Sequence, residues 1–305
     1  MTAIANKAKV KGYVSESKFE GVFQFFLKLI FVILSITFVY PYIHVLVQSF
    51  EHPNFVNAAG FKLWPKQASL DAYIQMFNAD FLWSGYANTL KVCFMGWALS
   101  ISAVVLCAYP LSKKDLPFRG IFTTIVITTM FVSGGMIPTY LLVTNTLGMK
   151  NTYWAIVLPH IVSVSHIVIA RNFFMGLPAG LEEAATIDGA NSWQILFKVM
   201  LPLSTPVLAT ISLWVVVSNW NAYFNCLLYI TDSSKYVLQV VLRRIILTDS
   251  SALTQVEQEL SNTLETSTET LRAASIMLAT IPIICVYPFV QKYFAKGMLM
   301  GSLKG

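Results

Sequence analysis

Glu182, Glu183 and Asp188 fall within seven residues of one another, interleaved with the small residues Ala184, Ala185, Gly189 and Ala190. Grouped carboxylates can serve acid–base chemistry, but no nucleophile or metal-binding spacing accompanies these. They suit helix caps or ion pairs instead. The surrounding segment, Arg171 to Met200, has an order of its own. Pro178 can open a helix, because proline is tolerated in a first turn. Gly189 supplies a point where the backbone can turn sharply. Trp193, Leu196, Phe197 and Met200 recur at helical spacing and form an apolar stripe on a second short helix. Pro202 and Pro206 then end that helix and begin the next apolar run. The expected element is a helix–turn–helix whose tip carries small side chains, so that another surface can approach closely. On these grounds two readings stand side by side: a docking element for another protein, or an interfacial hairpin lying on lipid.

Elsewhere the chemistry-bearing residues form no site. Cys93, Cys107, Cys226 and Cys285 lie in apolar runs without CxxC spacing and read as reduced core thiols. His44, His52, His160 and His166 show no ligand spacing, so no metal site is expected. No GxxxxGK[ST] occurs, and ATP hydrolysis by this chain alone is not expected.

The elements that must position the loop follow from composition. Of 305 residues, 56% are hydrophobic and only 12% charged, about half the charge of a soluble domain. Mean hydropathy is +0.63. The class is therefore an all-α integral membrane protein. A bilayer core of about 30 Å needs about 20 helical residues. Six stretches approach that length: Leu29 to Gln48, Val92 to Leu111, Ile121 to Val143, Thr152 to Ile169, Pro206 to Ile230 and Ala273 to Phe294. Internal prolines (Pro41, Pro138, Pro159, Pro282) should kink several of them. Positive charge gives the orientation. With the N-terminus inside, 13 of the 21 basic residues are cytoplasmic, among them Lys7, Lys9, Lys11, Lys18, Lys113, Lys114, Arg119 and Arg171. That leaves about +7 inside and −1 outside, so both termini are expected in the cytoplasm. The net charge of +6 thus reflects orientation, and no basic face with stacking aromatics suggests nucleic acid. The polar residues ahead of the first span do not resemble a cleaved signal peptide.

The expected division is a cytoplasmic segment 1–28 followed by a transmembrane domain 29–305. Within it lie external loops 49–90 and 231–272, the cytoplasmic loop 171–202 and a cytoplasmic tail 295–305. In the first external loop Ser69 is placed to cap a short helix Leu70 to Phe77. The second opens with the apolar run Val237 to Leu247, interrupted by Arg243 and Arg244, and continues as the Ser/Thr/Glu-rich stretch Ser250 to Thr270. It reads either as a solvated hairpin or as a contact surface for an external partner. Polar groups in lipid are costly and usually face a cavity or another helix. The fifth span is richest in them: Ser218, Asn219, Trp220, Asn221, Tyr223 and Asn225. Aromatic faces stack on sugar rings and amides bind hydroxyls, which suits a saccharide; bonding between helices is the other reading. Ser133, Gly134, Gly135 and Tyr140 form a second set in the third span. No Asp or Glu falls at mid-span, which argues against an ion-coupled carrier.

Glu183-Ala184-Ala185, Asp188-Gly189-Ala190, Phe197, Leu201-Pro202 and Pro206 together resemble the EAA loop of ABC-importer permeases. Asn88-Thr89-Leu90, Ala108-Tyr109-Pro110-Leu111-Ser112, Trp220-Asn221 and the run Gln291 to Gly297 are similar to sugar-importer permeases of the maltose type. Leu238 to Arg244 and Tyr287-Pro288-Phe289 resemble the branch that handles complex saccharides. The resemblance implies a type I ABC importer permease fold with six spans in a bacterial cell membrane. It implies a complex with a second permease, two ATPase subunits that hold ATP and Mg, and an extracellular or periplasmic solute-binding protein. This chain would hold no cofactor. Glu183, Ala184, Ala185, Asp188, Gly189, Ala190, Leu201 and Pro202 would seat on an ATPase subunit, and the tail from Gly297 would add a second contact. A permease for another solute, a membrane-bound enzyme and a secondary carrier are the competing classes.

Overall fold

The computed structural model of the protein describes residues 18–56, 62–247 and 267–302. Lys7, Lys9 and Lys11, most of the stretch Ser250 to Thr270 and the last three residues of the tail lie outside the described residues. Among the described residues the regular structure is helical, with one isolated bridge between Glu51 and Ala68. Lipid cannot satisfy backbone polar groups, so an apolar chain of this kind closes its hydrogen bonds within helices.

Three helices among the described residues are long and apolar enough to cross a membrane: Glu20–Ser49, Asp80–Ser112 and Thr268–Val286. The first is most of α1 (Lys18–Ser49). The second is α3 (Asp80–Ser112), preceded by the short α2 (Asp71–Phe77). The third opens α14 (Thr268–Ser302), which carries the predicted tail onward as helix. Two bent pairs raise the number of crossings to as many as five. In one, Tyr153–His160 meets α7 (Val164–Gly176) at 53°, and the first member contains α6 (Tyr153–Val157). In the other, Ser192–Leu203 meets α11 (Thr205–Trp220) at 81°.

The single helix expected over Ile121 to Val143 is not continuous. Its first part is α4 (Arg119–Thr128) and its second is α5 (Met136–Leu141), with Ser133, Gly134 and Gly135 between them. Gly135 sits at φ +84, open to glycine, and Pro138 falls in the first turn of α5, where its missing N–H costs nothing. The fifth span is likewise divided, into α11 and α12 (Tyr223–Tyr229). Asn219 and Asn221 turn their side-chain amides back onto the carbonyls of Val215 (2.8 Å) and Val217 (2.9 Å). Side chains that bond their own backbone compete with the helix, and here the chain turns after Trp220.

The helix α3 is the hub. Its Val104, Val105, Ala108 and Tyr109 pack with Ile167, Ala170 and Phe174 of α7 and with Val207, Ile211 and Val215 of α11. Nearer its start, Leu82 and Cys93 pack with α2, α14 and α13 (Leu238–Leu247). By contrast α1 leaves the apolar window of its span unburied, as lipid or a partner subunit would allow.

The segments between the long helices are fastened by polar side chains. The caps differ from expectation: α2 begins at Asp71 with Leu70 at the cap, and Ser69 still accepts the Asp71 N–H at 3.1 Å. Glu51, fully buried, accepts the amides of Lys66 (2.8 Å) and Gln67 (3.3 Å) and lies 3.9 Å from Lys62. The Asn88 amide donates to the carbonyls of Ser234 (2.8 Å) and Tyr236 (3.1 Å) and accepts the Tyr153 hydroxyl at 2.7 Å. Next to it, Thr89 accepts the Leu238 N–H at 2.8 Å. These bonds pin α13 and the segment before it to α3. Replacing Asn88 by alanine strands three polar partners, so Asn88→Ala should cost about 3 kcal/mol. Thermal unfolding of the purified chain measures this, and an unchanged midpoint would remove Asn88 from that role.

Candidate functional site

The segment expected to dock another protein forms a hairpin of two short helices. The helix α8 (Gly180–Ile187) starts after Pro178, which precedes the helix instead of opening it; Ala179 takes the cap position. Glu182 and Glu183 lie in the first turn, where negative charge is favoured by the helix dipole. Gly189 turns the chain at φ +81. The Ala190 N–H closes the turn on the Ala185 carbonyl at 2.9 Å. Asn191 and Gln194 then form a reciprocal capping box at 2.9 Å each way, opening α9 (Ser192–Ile195). A π-type turn (Leu196–Met200) and α10 (Leu201–Leu203) follow, so Pro202 sits inside the last short helix and the sharp bend falls at Ser204.

The expected apolar stripe divides in two. Leu196 and Met200 are buried against α3, α7 and α11. Trp193 and Phe197 stack on each other at 6.1 Å and stay 60% and 57% exposed. Ile187, at the end of α8, is 85% exposed. Glu183, Ala184, Asp188 and Gly189 are exposed beside it, while Ala185 and Ala190 are half-buried against the core and Leu201 packs there too. The hairpin is thus rooted through Ala185, Ala190, Leu196, Met200 and Leu201, with Ile187, Trp193 and Phe197 uncovered and the exposed Glu183, Ala184, Asp188 and Gly189 close to them in sequence.

A second feature lies among α3, α6, α7, α11 and α12. A cavity of about 180 Å³ is lined by Ser100, His160, Ser163, His166, Ser218, Asn219 and Asn225, with Ile156, Ile161, Val215 and Ala222. Its polar groups are neutral hydrogen-bonding side chains and imidazoles, and no carboxylate lines it. At its edge the His166 ring stacks on Trp214 at 5.6 Å. Asn219 lies directly over Gly96 of α3, where a Cβ would come within 2.6 Å of its amide carbon.

The family described as "Binding-protein-dependent transport system inner membrane component" matches residues 82–300. The chain belongs to this family. Among its relatives, the polygalacturonan/rhamnogalacturonan transport system permease protein YtcP of Bacillus subtilis is 43% identical over 267 residues, covering 88% of this chain and 93% of the relative. Protein LplC of Bacillus subtilis is 39% identical, covering 87% and 89%. A solved chain of a bacterial ABC transporter involved in import of the acidic polysaccharide alginate superposes with TM-score 0.84 at 33% identity, over 91% of this chain and 98% of that one. A further chain, from an alginate ABC transporter in complex with an alginate pentasaccharide-bound periplasmic protein, shares the fold at TM-score 0.54 and 14% identity, over 90% and 95% of the two chains. This permease is therefore an inner-membrane component of an ABC importer.

Within the permease the fifth-span residues scatter. Asn219 and Asn225 face the cavity. Trp220 points away from it, 7% exposed, its indole 6.2 Å from the Tyr86 ring and donating to the Ala279 carbonyl at 3.3 Å. Asn221 is exposed at the break, and Tyr223 lies under the Arg243 guanidinium at 4.2 Å. Tyr140 stacks on Tyr229 at 5.9 Å, apart from the cavity lining. Sequence reasoning passed over His160, His166, Ser100 and Ser163, because two histidines six residues apart carry no metal-ligand spacing. Their meeting depends on the bend after His160, for which Pro159 was the visible signal.

Proposed function

We propose that this permease is one of two membrane subunits of an importer for saccharides, taking oligosaccharides or polysaccharide fragments from a solute-binding protein outside the cell. The observation that carries the coupling half of this reading is the rooted hairpin with Ile187, Trp193 and Phe197 uncovered at its tip. Lipid-facing apolar groups would not need the exposed Glu183, Ala184, Asp188 and Gly189 that neighbour them in sequence. A cleft on an ATPase subunit would accept both, and Leu201 and Pro202 would fix the hairpin to the next span. ATP and Mg belong to that partner in this reading. The polysaccharides handled by YtcP and by the alginate transporter support a saccharide for this chain too.

Six spans with both termini inside remain the topology we propose, with α4 and α5 as the third, interrupted crossing. The division into segment 1–28, external loops 49–90 and 231–272, coupling loop 171–202 and tail 295–305 follows from it. For the path of the solute we propose Asn219 and Asn225, with Ser218 and the cavity imidazoles. Asn221 and Tyr223 stand at the break between α11 and α12, and Trp220 and Tyr140 brace those helices from behind.

Gentle extraction of the chain from native membranes tests the whole reading. A second permease and an ATPase should accompany it, and reconstituted vesicles should take up labelled tetragalacturonate only with ATP and a binding protein. Uptake that survives without ATP and stops when an ion gradient is collapsed would make the chain a secondary carrier.

A further inference from the structure

The inner end of α3 is held by a group of cations that the docking reading leaves unused. The Leu111 carbonyl, in the last turn of α3, accepts Arg119 Nε from α4 at 3.0 Å and Arg171 Nε from α7 at 3.0 Å. The C-terminal end of a helix carries partial negative charge and attracts such groups. One residue past the end, Lys113 ion-pairs with Glu182 of α8. Its ammonium also lies over the Tyr109 ring at 4.2 Å, and Tyr109 in turn meets the Phe174 ring edge-on at 6.0 Å. Arg119 Nη2 reaches the Met175 sulfur at 3.3 Å. The turn from α3 to α4 contains Phe118 at φ 56, a conformation that bulky side chains adopt rarely and that persists only where the surroundings hold it.

Glu182 belongs to the docking hairpin, and Lys113 caps the end of the hub helix. The chain itself ties α8 to α7 before it and to α9 after it. The Lys113–Glu182 pair joins α8 to α3 without passing along the chain. The same helix α3 carries Ser100, which lines the cavity, and Gly96, against which the cavity residue Asn219 rests. From Lys113 to Ser100 is about 20 Å of rigid helix at about 1.5 Å per residue.

We propose that Lys113 and Glu182 are positioning residues: through their pair, a partner seated on α8 moves the cavity wall on α3. This rests on the docking reading of the hairpin. Lys113 lies just past the end of α3, outside the hairpin, so replacing it leaves the residues of the seat in place. Lys113→Ala therefore leaves ATP hydrolysis near the wild-type rate but lowers the solute imported per ATP, and Glu182→Ala lowers the same ratio. Two sites joined by a coupling free energy lose that coupling when the connection goes, here by about fivefold or more.

The test uses the whole complex, co-purified with its partners and reconstituted, with labelled tetragalacturonate as probe. ATP hydrolysis and uptake are measured on the same vesicles for both single variants and for the exchanged pair Lys113→Glu/Glu182→Lys. The proposal expects low import per ATP in each single variant and recovery to within about twofold of wild type in the exchanged pair, since only a direct interaction is repaired by exchange. An exchanged pair no better than the singles overturns it, as does a proportional loss of hydrolysis and import. A wild-type chain that captures no ATPase overturns the docking reading first, and the inference with it.

Discussion

Import should fall about a hundredfold or more when Ile187 is replaced by aspartate, while the chain still inserts and folds. Ile187 is 85% exposed, so the change removes almost no packing inside the subunit. Surface substitutions of that kind alter stability by about 0.5 kcal/mol or less. The cost appears only when a partner covers the tip. A carboxylate driven into a cleft without a cation loses its hydration, at several kcal/mol, and every 1.4 kcal/mol is about a factor of ten in binding. The readouts are the amount of chain in the membrane, the ATPase captured with it, and uptake. A hairpin lying on lipid would respond differently: aspartate would lift the tip toward water and leave ATPase capture intact. Normal capture and normal import in Ile187→Asp would therefore return the hairpin to the lipid surface. Gly189, the first residue one would choose from sequence, is a poorer probe. At φ +81 any side chain strains the turn whether or not a partner is present.

The hairpin shows how far sequence can reach. Its two helices, the glycine turn and the small-residue tip were legible, because each is set by residues within a few positions. The capping box of Asn191 and Gln194 is equally local, a spacing of three residues that went unread. The split of the Trp193–Met200 stripe was not legible. Four apolar residues at helical spacing look alike in sequence, and only the position of α3, α7 and α11 determines that Leu196 and Met200 are covered while Trp193 and Phe197 are not. The spans divide in the same way. Continuous apolar runs located α1, α3 and α14, since length and hydropathy suffice for that, although each helix begins before the expected run, at Lys18, Asp80 and Thr268. The third, fourth and fifth runs hide breaks at Ser133–Gly135, after His160 and after Trp220, because apolarity averages over a break. The polar cavity residues sit beside two of those breaks. Asn219, Trp220 and Asn225 seemed one set because they are near in sequence, yet Trp220 lies about 100° around α11 from Asn219 and faces Ala279 instead.

The cavity offers the second large effect. Gly96→Ala should lower import by about tenfold and Gly96→Val by more, because the added atoms occupy the place of the Asn219 amide. The two helices that meet there, α3 and α11, are also the center of the core, so lower import alone would not separate a lost solute contact from poor packing. A pair of substitutions does. Asn219 spends its amide N–H on the Val215 carbonyl at 2.8 Å, which leaves its carbonyl oxygen to accept a solute hydroxyl. Asn219→Ala removes that acceptor and also makes room for a methyl group at position 96. In Gly96→Ala/Asn219→Ala the packing conflict is gone, and thermal stability should return to about the wild-type value. If Asn219 meets the solute, import in the double variant stays as low as in Asn219→Ala alone. If Gly96 matters only for the fit of α3 against α11, the double variant regains import together with stability. The first outcome places the solute path at the cavity wall formed by α3 and α11, and the second moves it away from Asn219 to the exposed residues at the break between α11 and α12.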